Sequence, residues 1–259
     1  RRQYSRVDFT VMTGALLGLP TARHGEDCLT LGVVTPACDG GRRPVMVWIH
    51  GGGFVFGAGS QEIYESPAFA LRGDVVVVTI NYRLGALGWL ALPALAAEEG
   101  GVAGNYGLLD QIAALEWVRD CIDRFGGDPR NVTIFGESAG AMSVGTLLGT
   151  PRAAGLFRRA ILQSGASHNV APLETASRVA ETLLKELGLE PATASRLREI
   201  PEEKILEAQG RTLLQTASLV RGIPFQPTLD GNVLPEPPLG ALSTGLHRDV
   251  DVLVGTNRD

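Results

Sequence analysis

The chain has 259 residues, 44% of them apolar and 20% charged, which is ordinary for a globular protein and long enough for one large α/β domain. Its 23 basic and 28 acidic side chains give a formal charge of −5, so no nucleic-acid-binding surface is expected. No apolar run could span a bilayer and no signal peptide opens the sequence, which leaves a cytoplasmic and a secreted protein both open. The three cysteines have no metal-ligand spacing.

Short apolar segments in the first part of the chain predict β-strands. Residues 7–11 alternate in polarity, and residues 28–34 form an apolar run of β type. Residues 45–49 are continuously apolar, as in a strand buried on both faces, and the β-branched residues at 75–80 disfavour a helix. These segments predict the first strands of a sheet.

Helical and strand patterns alternate in the rest of the chain. Apolar side chains recur at three- and four-residue steps over 108–125, which predicts an amphipathic helix that glycines at 126 and 127 end. Further predicted elements are a strand at 132–135, a helix at 139–148, a strand at 159–165, helix over 173–209 with breaks near 188 and 201, an extended loop with a short helix at 223–245, and a strand at 250–255. Alternating strands and helices indicate a mainly parallel sheet covered on both faces, as one domain over 1–259 or part of one.

A Gly-x-Ser-x-Gly pattern lies between the strand at 132–135 and the helix at 139–148. In a sharp strand-to-helix turn, Ser138 would hold a strained backbone that lifts its hydroxyl clear of the sheet. Gly136 and Gly140 would allow strand and helix to run close together. A simple glycine-rich turn before a packed helix is the alternative, but the strand before and the helix after favour a nucleophile.

Three consecutive glycines follow the strand at 45–49, in the segment His50 to Phe54, which we call the glycine loop. Without a Cβ, their backbone N–H groups can come within hydrogen-bond distance of a substrate oxygen. The N–H of Ala139, just after Ser138, would complete such an oxyanion hole. A merely flexible loop is the alternative, which the pairing with the Ser138 turn disfavours.

An ordered series of motifs identifies a family. It comprises EDCL at 26–29, HGGGF at 50–54, NYRLG at 81–85, GNYGLLDQ at 104–111, FGGDP at 125–129, GESAG at 136–140, LQSG at 162–165, PTLDG at 227–231 and GTNRD at 255–259. Together they resemble the type-B carboxylesterases, relatives of the cholinesterases and of bacterial para-nitrobenzyl esterases. The resemblance implies an α/β-hydrolase fold.

The same resemblance implies the residues of the reaction. Ser138 would be the nucleophile, with the N–H groups of Gly52, Gly53 and Ala139 as oxyanion donors. Hydrolysis of a small carboxylic ester through an acyl-serine would need neither a metal nor a cofactor.

Further positions match family residues with less defined roles. They are Glu137 and Ser164 beside the catalytic centre, Glu26 and Arg83 in an ion pair with Asp110 nearby, and Ile223 and Phe225 at an acyl pocket. For Glu137 and Ser164 a buried polar network that positions loops is equally open. The ion pair is interpreted as structural, and core packing is the alternative for Ile223 and Phe225.

The sequence departs from the family pattern at both ends. The family continues Asp-Glu-Gly after Gly-Thr-Asn, so the triad acid would be the residue after Asp259, and the triad histidine lies farther downstream. The histidines at 24, 168 and 247 match no family histidine. We therefore expect an incomplete domain, truncated at both ends, whose partner is the remaining C-terminal part of the same protein. A non-catalytic adhesion or scaffold relative, and a lipase that shares the HGGG loop, are the alternatives.

Overall fold

A computed structural model describes residues 27–258, apart from 65, 66, 97, 99 and 220–222. The predicted strand at 7–11 and Glu26 lie outside the described residues. Eight strands are described: β1 Leu31–Val34, β2 Arg43–Ile49, β3 Val76–Ile80, β4 Gly127–Glu137, β5 Arg159–Gln163, β6 Ala171–Pro172, β7 Thr228–Leu229 and β8 Asp251–Gly255.

Six of these strands form one sheet in the order β1-β3-β2-β4-β5-β8. Only β1 is antiparallel to its neighbour, β3, and the other pairs in this sheet are parallel. The predicted mainly parallel sheet is confirmed. Strands β6 and β7 form a separate parallel pair.

The described helices connect and cover these strands. They are α1 Pro67–Gly73, α2 Gly85–Trp89, α3 Pro93–Ala96, α4 Tyr106–Cys121, α5 Ala139–Leu148, α6 Leu173–Glu186, α7 Glu202–Thr216 and α8 Pro238–Ser243, with 3-10 turns at Glu62–Tyr64, Ile122–Phe125, Pro151–Ala153 and Pro191–Glu199. Helix α5 packs on β4 and β5, and α4 packs on α2, α5 and β4. The junction between β4 and α5 coincides with the one predicted.

The core lies around β2, β3 and β4. All five residues of β3 are buried, as expected of β-branched side chains in an inner strand.

Strand β4 is longer than predicted: it begins at Gly127 rather than at 132, because Gly127 pairs with Arg43 of β2 across a bulge. The helix predicted over 108–125 begins earlier, at Tyr106, and its last turn tightens into a 3-10 turn.

The strand β8 lies at one edge of the sheet and is exposed along its whole length. Its apolar side chains are 50% exposed at Val252, 63% at Leu253 and 60% at Val254. Apolar side chains of this size in a row on an edge strand are typical of a surface that another segment covers.

Candidate functional site

Ser138 lies in the turn that joins β4 to α5. Its backbone has φ 54° and ψ −122°, a conformation that non-glycine residues rarely adopt and that costs about 1–3 kcal/mol. The turn is held on both sides: the N–H of Ser138 donates to the carbonyl of Gln163 (2.9 Å), and its carbonyl accepts from the N–H of Met142 (2.9 Å). The fold therefore imposes this strained conformation and places the half-buried serine at the start of α5.

The glycines that flank Ser138 are where strand and helix touch. A methyl on Gly136 would lie 2.5 Å from the backbone of Gly140 and 2.7 Å from the carbonyl oxygen of Ile49. A methyl on Gly140 would collide with that same oxygen. The prediction that these glycines permit a close approach is confirmed, and the contact sets the direction in which α5 leaves the sheet.

The glycine loop lies against this turn. It follows β2, the neighbour of β4, so both segments lie at the carboxyl ends of parallel strands. A methyl on Gly51 would lie 2.7 Å from the carbonyl oxygen of Glu137 and 3.4 Å from the Cβ of Ser138. The loop begins beside the serine, as an oxyanion hole would require.

The loop's backbone leaves amide donors available. Gly52 and Gly53 have φ values of 114° and 58°, and the carbonyl of Gly52 accepts from the N–H groups of Val55 and Phe56 at 3.0 and 3.1 Å. The N–H groups of Gly52 and Gly53 have no hydrogen-bond acceptor within the part of the chain that the structure describes. Ala139 is the first residue of α5, where N–H groups lack an intrahelical acceptor.

A buried histidine anchors the start of the loop. The side chain of His50 is fully buried, its Nδ1 lies 2.8 Å from the carbonyl oxygen of Gly51, and its ring stacks on Tyr82 at 4.5 Å. The Tyr82 hydroxyl donates to the carbonyl of His50 (2.8 Å). Burial lowers the pKa of His50 to about 4, so the ring is neutral at pH 7 and Nδ1–H donates to Gly51. His50 Nε2 has no partner among the described residues.

Sequence reasoning did not single out Tyr82 as part of this arrangement. Tyr82 follows β3, and β3 is the other neighbour of β2, so the ends of these two strands meet. The signal available in the sequence was that both residues lie close behind a buried apolar strand, His50 directly after one and Tyr82 two residues after the other. Its contact with His50 depended on the order of the strands.

An ion pair fixes the segment that carries Tyr82. The guanidinium of Arg83 makes two hydrogen bonds to the carboxylate of Asp110, at 2.8 and 2.7 Å, and the Arg83 N–H donates a third at 2.9 Å. Asp110 is buried, and the predicted third member, Glu26, lies outside the described residues. Next along, the N–H of Gly85 donates to the carbonyl of Phe54 (2.7 Å), which ties this segment to the glycine loop.

Glu137 and Ser164 lie at the carboxyl ends of β4 and β5, and both are exposed. Ser164 has φ 55°, and its N–H donates to the carbonyl of Gly255 at the end of β8 (2.8 Å). The alternative, a buried polar network that positions loops, stays a prediction. Their assistance to the reaction stays a prediction.

The predicted acyl-pocket residues pack in the interior. Phe225 is fully buried in the main core, and Ile223 is partly buried against the same core. This agrees with the core-packing alternative, and a part in an acyl pocket stays a prediction.

The described part of the chain lacks several other features of functional sites. Among the described residues, no cluster of three or more His, Cys, Asp or Glu side chains could hold a metal ion. No described side chain hydrogen-bonds to the hydroxyl of Ser138. None of the described helices has the length and apolar character needed to cross a membrane.

Comparison with known proteins matches this chain to carboxylesterases and cholinesterases. The family model described as the carboxylesterase family matches residues 6–259. The para-nitrobenzyl esterase of Bacillus subtilis is 44% identical over 237 residues, which cover 92% of this chain and 48% of that protein. The acetylcholinesterase of Bungarus fasciatus is 38% identical over 266 residues, which cover 99% of this chain and 43% of that protein.

A solved structure extends the similarity to three dimensions. A crystal structure of a carboxylesterase from Geobacillus stearothermophilus superposes with a TM-score of 0.83 at 48% identity, covering 90% of this chain and 48% of that one. The chain thus spans about half the length of the relatives it matches. The fold is that of the α/β-hydrolases, and the family model covers nearly every residue. The chain belongs to the carboxylesterase family.

Proposed function

We propose that the protein hydrolyses carboxylic esters of small molecules through an acyl-serine intermediate on Ser138. The observation that carries this proposal is the strained turn at Ser138 lying against the glycine loop. Non-glycine residues keep such a backbone only where the surrounding structure enforces it, and such positions cluster at active sites. A binding module would have no use for a hydroxyl held in this way.

The reaction would proceed in two halves. The Ser138 hydroxyl oxygen attacks the ester carbonyl carbon while a base takes its proton, and negative charge develops on the carbonyl oxygen. The N–H groups of Gly52, Gly53 and Ala139 would hold that oxygen, and loss of one such donor typically lowers kcat about 10²–10³-fold. The alcohol then leaves with the proton, and water cleaves the acyl-serine to release the acid.

A base and an orienting acid are still required. By the resemblance, the acid would directly follow Asp259 and the histidine would lie farther downstream. The relatives are about twice as long as this chain. The exposed apolar edge of β8 offers a surface on which such a part could pack. We propose that the remaining C-terminal part of the protein packs there and supplies both residues. Without a base, serine is a poor nucleophile.

A fluorophosphonate probe on the whole protein tests the nucleophile. The reagent should label one residue, identified as Ser138 by peptide mass spectrometry, and Ser138→Ala should abolish labelling. Ser243→Ala, which removes an exposed hydroxyl on α8, is the matched control and should label normally. Labelling at another residue would refute the assignment.

Two outcomes would point to the alternatives. Absence of labelling in a folded whole protein would favour a non-catalytic adhesion or scaffold role on the same fold. Labelling combined with faster hydrolysis of long-chain than of short-chain acyl esters would favour a lipase. We expect short acyl esters to react faster.

A further inference from the structure

A cavity of about 750 Å³ lies at the amino ends of β4, β5 and β8. Its lining includes Arg119, Arg130, Arg158 and Arg248 together with Phe157 and His247, and we call it the basic cavity. Ser138 lies at the carboxyl end of β4, eight residues beyond Arg130, or roughly 26 Å along the strand. The basic cavity is therefore separate from the site proposed for ester hydrolysis.

Positive charge dominates this cavity although the protein is acidic overall. Asp249 is the one acidic side chain in its lining, against four guanidiniums, whereas the whole chain has a charge of −5. Two of the four are partly neutralised: Arg119 lies 2.7 Å from Asp120, and Arg130 lies 3.8 Å from Asp128. Arg158 and Arg248 make no ion pair with any carboxylate of the described residues.

The backbones that carry these two arginines are fixed. The N–H of Arg158 donates to the carbonyl of Val132 (2.8 Å), and its carbonyl accepts from the N–H of Asp251 (3.2 Å), so the residue bridges β4 and β8. Arg248 lies in a tight turn, where its N–H donates to the carbonyl of Gly245 (3.3 Å). The backbones that carry two unneutralised guanidiniums are thus held at one cavity before any ligand arrives.

The rest of the wall is aromatic and uncharged. The rings of Phe157 and His247 stack at 5.1 Å with an angle of 9° between their planes. Burial lowers the pKa of His247, so its ring is neutral at pH 7 and the positive charge comes from the arginines. The cavity combines an apolar wall with a few cationic groups, and its volume is within the usual range of ligand pockets.

We propose that the basic cavity binds a small phosphate-bearing anion, held by Arg158 and Arg248. A guanidinium group carries only hydrogen-bond donors, in a planar arrangement that matches two oxygens of one phosphate group. Hydrogen bonds between a guanidinium and a phosphate are about twice as strong as hydrogen bonds between neutral groups. Phosphate presents acceptor oxygens on every side and more charge than a single carboxylate, which suits guanidiniums that come from two different segments.

Calorimetric titration of the whole protein with inorganic pyrophosphate tests this proposal. At about 50 mM salt, where screening is modest, we expect saturable binding that Arg158→Gln and Arg248→Gln each weaken about tenfold. Arg248→Lys keeps the charge but loses the planar donors, so its affinity should fall between those of wild type and Arg248→Gln. Arg72→Gln, which removes an exposed arginine on α1, is the matched control and should bind like wild type.

The arginine variants should lose anion binding without losing stability or activity. Because both target side chains lack carboxylate partners in the described structure, the variants should keep the wild-type Tm and ester hydrolysis. Absence of pyrophosphate binding, or equal binding by the Arg158→Gln/Arg248→Gln double variant, would overturn the site. Citrate binding as tightly as pyrophosphate would overturn the phosphate class.

Discussion

Two serines that follow neighbouring parallel strands have almost the same positive φ. Ser138, after β4, has φ 54°, and Ser164, after β5, has φ 55°. Each N–H donates to the next strand along the sheet, Ser138 to the carbonyl of Gln163 at 2.9 Å and Ser164 to that of Gly255 at 2.8 Å. Backbone strain at the end of a strand therefore does not by itself identify the proposed nucleophile.

The two turns differ in what surrounds them. Ser138 is followed at once by the ten-residue helix α5 and has the glycine loop beside it. Ser164 is followed by Gly165, where an added methyl would lie 2.6 Å from the carbonyl oxygen of Ser138, so the second turn packs against the first. We infer that amide donors around a strained serine, rather than the strain, distinguish the site, and that the Ser164 turn supports it.

The largest expected effect is the difference in kcat between alanine variants of the two serines. In the whole protein, Ser138→Ala should lower kcat for a para-nitrophenyl ester on the order of 10⁶-fold, the effect known for loss of a serine nucleophile. Ser164→Ala should keep most of the activity, because it removes no reacting atom. Steady-state kinetics measures both, and a Ser164→Ala loss as large as that of Ser138→Ala would contradict our distinction between the turns.

The next effect concerns the close contact between helix α5, which follows Ser138, and the end of β2. Gly140→Ala forces a methyl against the carbonyl oxygen of Ile49 and should lower the free energy of unfolding by about 3 kcal/mol or more. Gly210→Ala is the matched control, because Gly210 lies inside α7 with open space around its Cβ position. There alanine should raise the free energy of unfolding by about 0.5–1 kcal/mol. Urea unfolding compares the two, and equal losses would show that the contact does not constrain the helix.

How far the sequence predicts this arrangement depends on the range of the contacts involved. The β4–α5 junction was predictable, since the β-type run at 132–135 is followed by glycine and then by a segment of mostly small residues. The early start of β4 was not, because it depends on pairing with Arg43 of β2. The contact of Tyr82 with His50 and the gathering of arginines in the basic cavity likewise depend on strand order.

A smaller expected effect is the pH dependence of stability that His50, the first residue of the glycine loop, should cause. Folding lowers the pKa of His50 from its ordinary 6.5 to about 4, so between these values the unfolded chain binds more protons than the folded protein. Stability should therefore be full above pH 6.5 and decrease as the pH falls towards 4, by up to about 3 kcal/mol. Urea unfolding at pH 7 and at pH 5 measures the change.

Variants assign that pH dependence to His50. His50→Gln should flatten the dependence between pH 6.5 and pH 4, because the titrating group is gone. His168→Gln, which changes an exposed histidine, is the control and should behave like wild type. A profile that His50→Gln leaves unchanged would mean that other groups cause the loss in acid.

The smallest expected effect tests whether the backbone strain at Ser138 equals that at Ser164. Glycine tolerates positive φ, so Ser138→Gly and Ser164→Gly should each relieve about 1–3 kcal/mol of strain, offset by about 0.5–1 kcal/mol of added chain entropy in the unfolded state. Each should therefore raise the free energy of unfolding by about 1 kcal/mol, whereas Ser177→Gly, inside α6, should lower it by a similar amount. Only Ser138→Gly should also abolish ester hydrolysis. If Ser138→Gly stabilised the protein and Ser164→Gly did not, the strain would be specific to the nucleophile, and the turns would differ in backbone energy as well as in their surroundings.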